Sequence, residues 1–206
     1  METVVWKMAL IALAAGGPVF LSGAQGQAPA ATNAAARAGL RECPVGNAAA
    51  TKYPEQVALI TSADAEGKAN IITVGWIMFC SGEPPMIAVS IGKTRYSHKL
   101  ISAGKEFVCA FPGADLEREV LFCGTHSGKD VDKFKETGLT AAPAGTVKPP
   151  LIAECIANFE CQVTAEMDAG DHTVFIGKIV KAWKAPERKE QRRLFSLGGR
   201  KFGGLP

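Results

Sequence analysis

From residue 56 to 183 the apolar residues fall in short, β-branched runs separated by turn residues, and helical spacing appears only in brief insertions. Strands joined by short turns, with no regular strand–helix alternation, build an antiparallel sheet or barrel and not a doubly wound parallel sheet. The 22 glycines and 12 prolines supply the turns this requires. Residues 56–63 and 69–76 flank the turn at 64–68 and predict a first hairpin. The turn Ser81-Gly82-Glu83-Pro84-Pro85 leads into a strand over 86–91, and 107–111 forms another. Two longer strands, 152–165 and 173–183, meet at the turn Asp168-Ala169-Gly170-Asp171 in a second hairpin. Helices are expected over 96–102, ending at Gly104, over 115–122, and over 130–137, with Gly138 at the usual position after the last turn. Residues 187–197 read as a closing helix.

At 206 residues the chain accommodates one well-cored domain and an extension. An apolar stretch at 8–21 follows Lys7, is broken by Gly16-Gly17-Pro18 and ends in small residues, the layout of a signal peptide (1–24) cleaved after Ala24. It is too short and too interrupted for a stable membrane span. Export to the periplasm follows from that reading. Glu2 offsets Lys7, however, and a cytoplasmic location is the alternative. Residues 25–52 are alanine-rich without apolar periodicity and read as a low-complexity linker, which leaves 53–206 as the folded domain.

Several function classes fall away. The net charge is only +3, and the basic residues Arg188, Lys189, Arg192, Arg193, Arg200 and Lys201 have no aromatic residues alternating with them, so they read as a solvated helix face and not a nucleic-acid surface. The six cysteines show no C-x-x-C spacing. Cys155 and Cys161, expected on one strand, would lie roughly 20 Å apart, too far to share a metal ion. They read as free, mostly buried thiols. Gly124-Thr125-His126-Ser127-Gly128 lacks the glycine that a nucleophile elbow needs two residues before its serine. Ser127-Gly128-Lys129-Asp130 lacks the first glycine and the final Ser or Thr of a P-loop. His98, His126 and His172 have no metal-ligand spacing, and no metal site is expected.

Three segments remain in which glycines and hydroxyl side chains stand beside fixed positive charge: 70–76, 90–97 and 127–134. Each can present backbone N–H groups and hydroxyls to an anion. Lys93 and Arg95 precede a helix start, where a phosphate is favoured. Other readings stand beside this one. Ser127–Asp130 can be a plain helix cap, Trp76 can be core, His172 beside Asp171 can close a turn, and Lys133 can pair with Asp130 and Glu136.

In order along the chain stand N-x-x-T-x-x-W from Asn70, P-P-x-I-x-V-S-I-x-K-x-R-Y-S from Pro84, S-G-K-D-V-D-K-F from Ser127 and G-D-H-x-x-F-I-G-x-I from Gly170. This series closely resembles the flavin reductase-like, FMN-binding split-barrel family, which includes flavoredoxins and the reductase components of two-component monooxygenases. The resemblance covers about 53–202. It implies a mainly β, antiparallel, Greek-key-like split β-barrel with a few short helices, forming a homodimer with one FMN per subunit near the dimer interface. Asn70, Thr73, Val74, Gly75 and Trp76 would line the isoalloxazine and ribityl chain. Ser90, Lys93, Arg95, Tyr96 and Ser97 would take the phosphate side with Ser127, Gly128 and Lys133, and His172 would stand where nicotinamide docks. Ser97 replaces the more usual Thr and keeps its hydroxyl. The implied activity is hydride transfer from NADH or NADPH to FMN, with electrons passed on to free flavin, oxygen, ferric iron or a partner oxygenase. The alternative is a flavoredoxin-like electron carrier with tightly bound FMN and no direct NAD(P)H oxidation. Split barrels that bind haem or oxidise pyridoxine phosphate are more distant alternatives.

Overall fold

The computed structural model describes residues 39–205, so the expected signal peptide (1–24) and the first half of the linker (25–38 of 25–52) lie outside the described residues. Contacts divide the chain into Met1–Cys43 and Pro44–Pro206, and the second unit carries the fold. It opens with helix α1 (Val45–Ala49) and a 3-10 turn (Ala50–Lys52), neither of which buries a residue.

The strands are β1 (Glu55–Gln56), β2 (Ala58–Ala63), β3 (Ala69–Val74), β4 (Ile77–Gly82), β5 (Pro85–Gly92), β6 (Glu106–Phe111), β7 (Ala141–Ala142), β8 (Leu151–Ile152), β9 (Ala157–Ala169), β10 (His172–Lys184), β11 (Arg193–Gly198) and β12 (Lys201–Leu205). Helix α2 (Tyr96–Gly104) lies between β5 and β6; α3 (Glu117–Thr125) and α4 (Lys133–Thr137) lie between β6 and β7. Seven strands form one antiparallel sheet in the order β3-β2-β6-β9-β10-β5-β4, with β3 and β4 as its edge strands, each paired on one side only. The barrel is therefore split. Three more strands, β1-β11-β12, make a small second sheet.

β2 is buried at every position, which is why its sequence runs apolar without alternating. Its two faces serve two cores: Ile60 packs with Val89, Phe107 and Phe175, whereas Leu59 packs with Val120, Leu116 and Leu194 beneath α3. In β10 alternation is clear through Thr173, Phe175 and Gly177. Gly177 sits at a register shift opposite β9, and a Cβ there would lie 2.6 Å from the Phe107 ring and 2.9 Å from Cys161 Cβ. Both neighbours are fully buried and cannot yield cheaply. Gly177→Ala is expected to cost about 2–3 kcal/mol of stability, read as a lower urea midpoint with an unchanged m-value; an unaltered midpoint would show that the core yields here.

The structure corrects several expectations. Residues 187–197 are not a closing helix: Arg193–Gly198 is strand β11, held between β1 and β12, and Leu194 is buried. Tertiary pairing overrides the helical reading of a short, charged run. The basic cluster accordingly has no common face. Arg188 binds Asp115, Arg192 binds Glu190, and the Arg193 guanidinium lies 3.8 Å from the centre of the Phe111 ring. The second strand of the first hairpin, expected over 69–76, ends at Val74, and β4, which the sequence reading passed over, follows it as the partner of β5. The strand expected over 152–165 is broken by a turn at Ala153–Ile156, where the Asn158 side chain both accepts from and donates to the Ile152 backbone. Cys155 therefore precedes β9 and does not share it with Cys161. Helix α2 runs on to Gly104, and the left-handed position falls to Lys105 (φ 56°). Helix α4 begins at Lys133 under an Asp132 cap that accepts from the Lys135 amide, and Gly138 (φ 72°) closes it as expected.

Among the described residues no helix is long and apolar enough to cross a membrane. Cys109, Cys123, Cys155 and Cys161 are buried free thiols; burial raises the pKa of all four, that of Cys123 to about 12 despite the nearby Lys133. None is poised as a thiolate nucleophile. Cys43 and Cys80 are exposed.

Candidate functional site

Two adjoining cavities, of about 220 and 180 Å³, share Ile72 and Arg95 and form one groove across the ends of β3 and β5. The first is walled by Thr73, Val74, Gly75 and Trp76, by Ser90, Ile91 and Gly92, and by His172 at the start of β10. The second is walled by Thr94, Arg95, Tyr96 and Ser97 at the start of α2, by Cys123–Ser127 at the end of α3 and just beyond it, and by Lys133.

β3 and β5 have ends that lie side by side: Trp76, just past β3, accepts a hydrogen bond at its carbonyl from the Ser90 amide (2.9 Å). α3 is docked against β3 by Thr73, whose hydroxyl donates to the Val120 carbonyl; a Cβ at Gly124 would lie 3.2 Å from Thr73 Cβ. Asn70, buried beneath the groove, donates to the Ser97 hydroxyl (2.7 Å), and its Oδ1 has no partner among the described residues. Gly128 packs so closely on that oxygen that a Cβ would fall 1.8 Å from it. Asn70 and Gly128 thus set the position of Ser97 from below and are absent from the groove lining.

The second cavity is positive without a compensating acid. Lys133 is 4% exposed, and its ammonium donates to the Ile71 and Cys123 carbonyls (both 2.7 Å). That uses two of its three N–H groups. It pairs with neither Asp130 nor Glu136. Burial lowers its pKa, the neighbouring Cys123 opposes this, and Arg95 lowers it further. Arg95 makes no ion pair among the described residues, and no Asp or Glu lines this cavity. Two cations held close, one with an unspent donor and surrounded by the hydroxyls of Thr94, Tyr96, Ser97, Thr125 and Ser127, form an anion-binding arrangement.

Lys93 does not join them. Its ammonium binds Asp168 and the Gly170 carbonyl and secures the β9–β10 turn instead. At the other end of the groove Trp76 is 53% exposed, so it is not core; its ring lies 4.9 Å from that of His172. His172 Nδ1 hydrogen-bonds Asp171 (2.7 Å), which leaves Nε2 as the ring nitrogen able to meet a ligand. His172 therefore both closes its turn and lines the groove.

The sequence reading missed Glu55, Thr94, Thr125 and His126. The last three lie inside or beside the quoted motifs. Glu55 had no local signal, because β1 reaches the groove only through its pairing with β11. It binds Lys52 (2.8 Å), whose ammonium stands 5.2 Å from the centre of the Trp76 ring. Among the described residues no group of three or more His, Cys, Asp or Glu could hold a metal ion.

The family model described as "Flavin reductase like domain" matches residues 50–202. A protein of unassigned function from Archaeoglobus fulgidus is 41% identical over 128 residues, 62% of this chain and 71% of its own length. An NADH-dependent FAD reductase from Streptomyces globisporus is 28% identical over 149 residues, 72% of this chain and 78% of that protein. Among solved structures, flavoredoxin of Desulfovibrio vulgaris superposes with a TM-score of 0.68 at 26% identity, covering 75% of this chain and 88% of that one.

Proposed function

Because this chain belongs to the flavin reductase-like family, we propose that it holds FMN in the groove and passes electrons from NAD(P)H through it to an acceptor. The observation that carries the reading is the pair Arg95–Lys133, two neighbouring cations among hydroxyl groups with no acid to neutralise them. A phosphate monoester fits that cavity, and its charge would relieve the repulsion between the two side chains. When bound, the flavin supplies hydride acceptance and electron release, so the protein needs no catalytic triad. The chain's residues bind and orient. Arg95, Lys133, Ser97 and Ser127 would take the phosphate, Thr73–Trp76 and Ser90 would flank the ribityl chain and ring, and His172 with Trp76 would frame the entry for nicotinamide. Lys93 acts one step back, by fixing the turn that carries His172.

Trp76, Met78 and Phe79 are each about half exposed on or beside the edge strand β4, whose outer side has no partner strand among the described residues. Apolar surface on a free edge favours a second copy of this chain as its cover, and supports the homodimer. An oxygenase partner or an electron carrier would be the acceptor's source. Export through residues 1–24 would predict a mature N-terminus near Gln25 and would favour the carrier alternative, because NAD(P)H is scarce outside the cytoplasm.

The test is a spectrum followed by a donor assay. Purified protein should take up FMN and bleach on addition of NADH or NADPH. A flavin-loaded protein that bleaches with dithionite and with neither nicotinamide would overturn the reductase reading in favour of the carrier. A sample with no FMN-induced spectral or thermal shift would overturn both.

A further inference from the structure

Among the described residues Glu55 is the only acid that lines either cavity of the groove, and it lines the one that holds Trp76 and His172. Its carboxylate is packed on Gly75, where a Cβ would lie 2.9 Å from Glu55 Cδ and 3.1 Å from each carboxylate oxygen. Only 15% of the side chain is exposed. Lys52 Nζ binds Oε2 (2.8 Å), and Oε1 has no partner among the described residues. The strand that carries the acid is fixed from both sides: Glu55 pairs with Ser196 of β11, and the Gln56 side chain donates to the Ile77 carbonyl of β4. The Lys52 ammonium is placed too, 5.2 Å from the centres of both the Tyr53 and the Trp76 rings. The groove wall thus presents a fixed acceptor beside a fixed donor.

That pair matches one edge of a flavin ring. An ionised carboxylate can only accept, and an ammonium can only donate. The oxidised isoalloxazine has a single N–H, at N3, set between the two carbonyls of its imide; its other polar ring atoms accept. We propose that Glu55 recognises the ring through this N3–H while Lys52 faces a flanking carbonyl, so that the 3-10 turn and β1 read the pyrimidine edge of the flavin. The proposal rests on the flavin reading above. It gives the ring a direction, with the pyrimidine edge toward β1 and the dimethylbenzene edge away from it. It also accounts for an acid in a groove otherwise suited to an anion, because a charge-assisted hydrogen bond from N3–H requires an acceptor at that point. The carboxamide of nicotinamide is a second N–H donor and fits less well: Glu55 is set into the wall against Gly75, whereas the nicotinamide entry is framed by the exposed Trp76 and by His172.

The experiment titrates FMN and 3-methyl-FMN, in which a methyl group replaces the N3 hydrogen, against the full chain and against Glu55→Ala and Glu55→Gln. Melting of the flavin-free proteins serves as the folding control. The wild type is expected to prefer FMN by at least about tenfold, the worth of a hydrogen bond to a charged group. In Glu55→Ala the preference should fall to within about twofold. Glu55→Gln keeps an acceptor without the charge and should retain a preference of about threefold, so it reads the same ratio should the alanine variant fold poorly. A residue that only tethers Lys52 would shift both flavins equally and leave the ratio alone. A wild-type ratio near one, or a ratio unchanged in a folded variant, overturns the N3–H contact and leaves FMN binding in place. A raised KM for NADH with the flavin ratio intact assigns Glu55 to nicotinamide and overturns it as well, whereas binding of neither flavin removes the flavin reading itself.

Discussion

Arg95→Ala is expected to weaken FMN binding about 30-fold while leaving riboflavin binding within about twofold. Hydrogen bonds to a charged group contribute about 1.5–3 kcal/mol, equivalent to about 10–150-fold in affinity. Arg95 is the member of the cation pair that can be removed without disturbing the fold. It is exposed and has no ion-pair partner among the described residues. Lys133, by contrast, holds the Ile71 and Cys123 carbonyls together and would take β3 and α3 with it. Riboflavin lacks the phosphate and serves as the internal control. Fluorescence titration of both flavins against both proteins decides the matter. Equal losses for the two would mean that Arg95 shapes the groove and does not read the phosphate.

Glu160→Gln is expected to remove about 2–4 kcal/mol of stability at neutral pH, and the difference from wild type should shrink on acidification. The carboxylate is fully buried in β9. It accepts from the backbone amides of Gly145 (2.8 Å), Thr146 (2.7 Å) and Val147 (3.3 Å) and from Trp183 Nε1 (2.6 Å), tying the loop before β8 to the long hairpin. Burial alone would push its pKa up. The four hydrogen bonds, that from Gly145 foremost, outweigh burial and leave it below the ordinary carboxylate value. A group whose pKa is lowered by folding contributes fully above its unfolded value, near about 4.3, and loses that contribution as the pH falls through the folded value. The amide isostere keeps the shape but presents an NH₂ to donors and cannot titrate. Urea unfolding of both proteins at pH 7 and below pH 4 reads this directly. A constant gap at both pH values would show that charge is irrelevant to the anchor.

The parts legible in the sequence were those set by near neighbours. The Asp64–Lys68 turn, the Gly170 turn and the Gly138 cap each follow from residues a few positions apart, and the four ordered segments did converge around one groove. What was not legible depended on distant partners. β11 looks helical until β1 and β12 claim it, and Glu55 is an ordinary surface acid until that pairing brings it beside Gly75. Lys93 and Arg95 are equivalent cations in sequence. Only the position of Asp168, on the far side of the hairpin, decides that Lys93 turns away. Lys133 reads as a solvated helix residue until α3 and β3 close over it, when two carbonyls replace water around its ammonium.

The pairing of Glu55 with Ser196 also sets an order of events in the cell. The residue that borders the Trp76 end of the groove is synthesised early, yet its strand has no partner until residues 193–198 have emerged from the ribosome. The seven-stranded sheet can form ahead of that moment, because its strands end at Lys184. The wall carrying Glu55 cannot. Closure of the groove thus waits on residues 193–198, and deleting residues 193–205 is expected to leave a folded seven-stranded sheet with an open-ended groove.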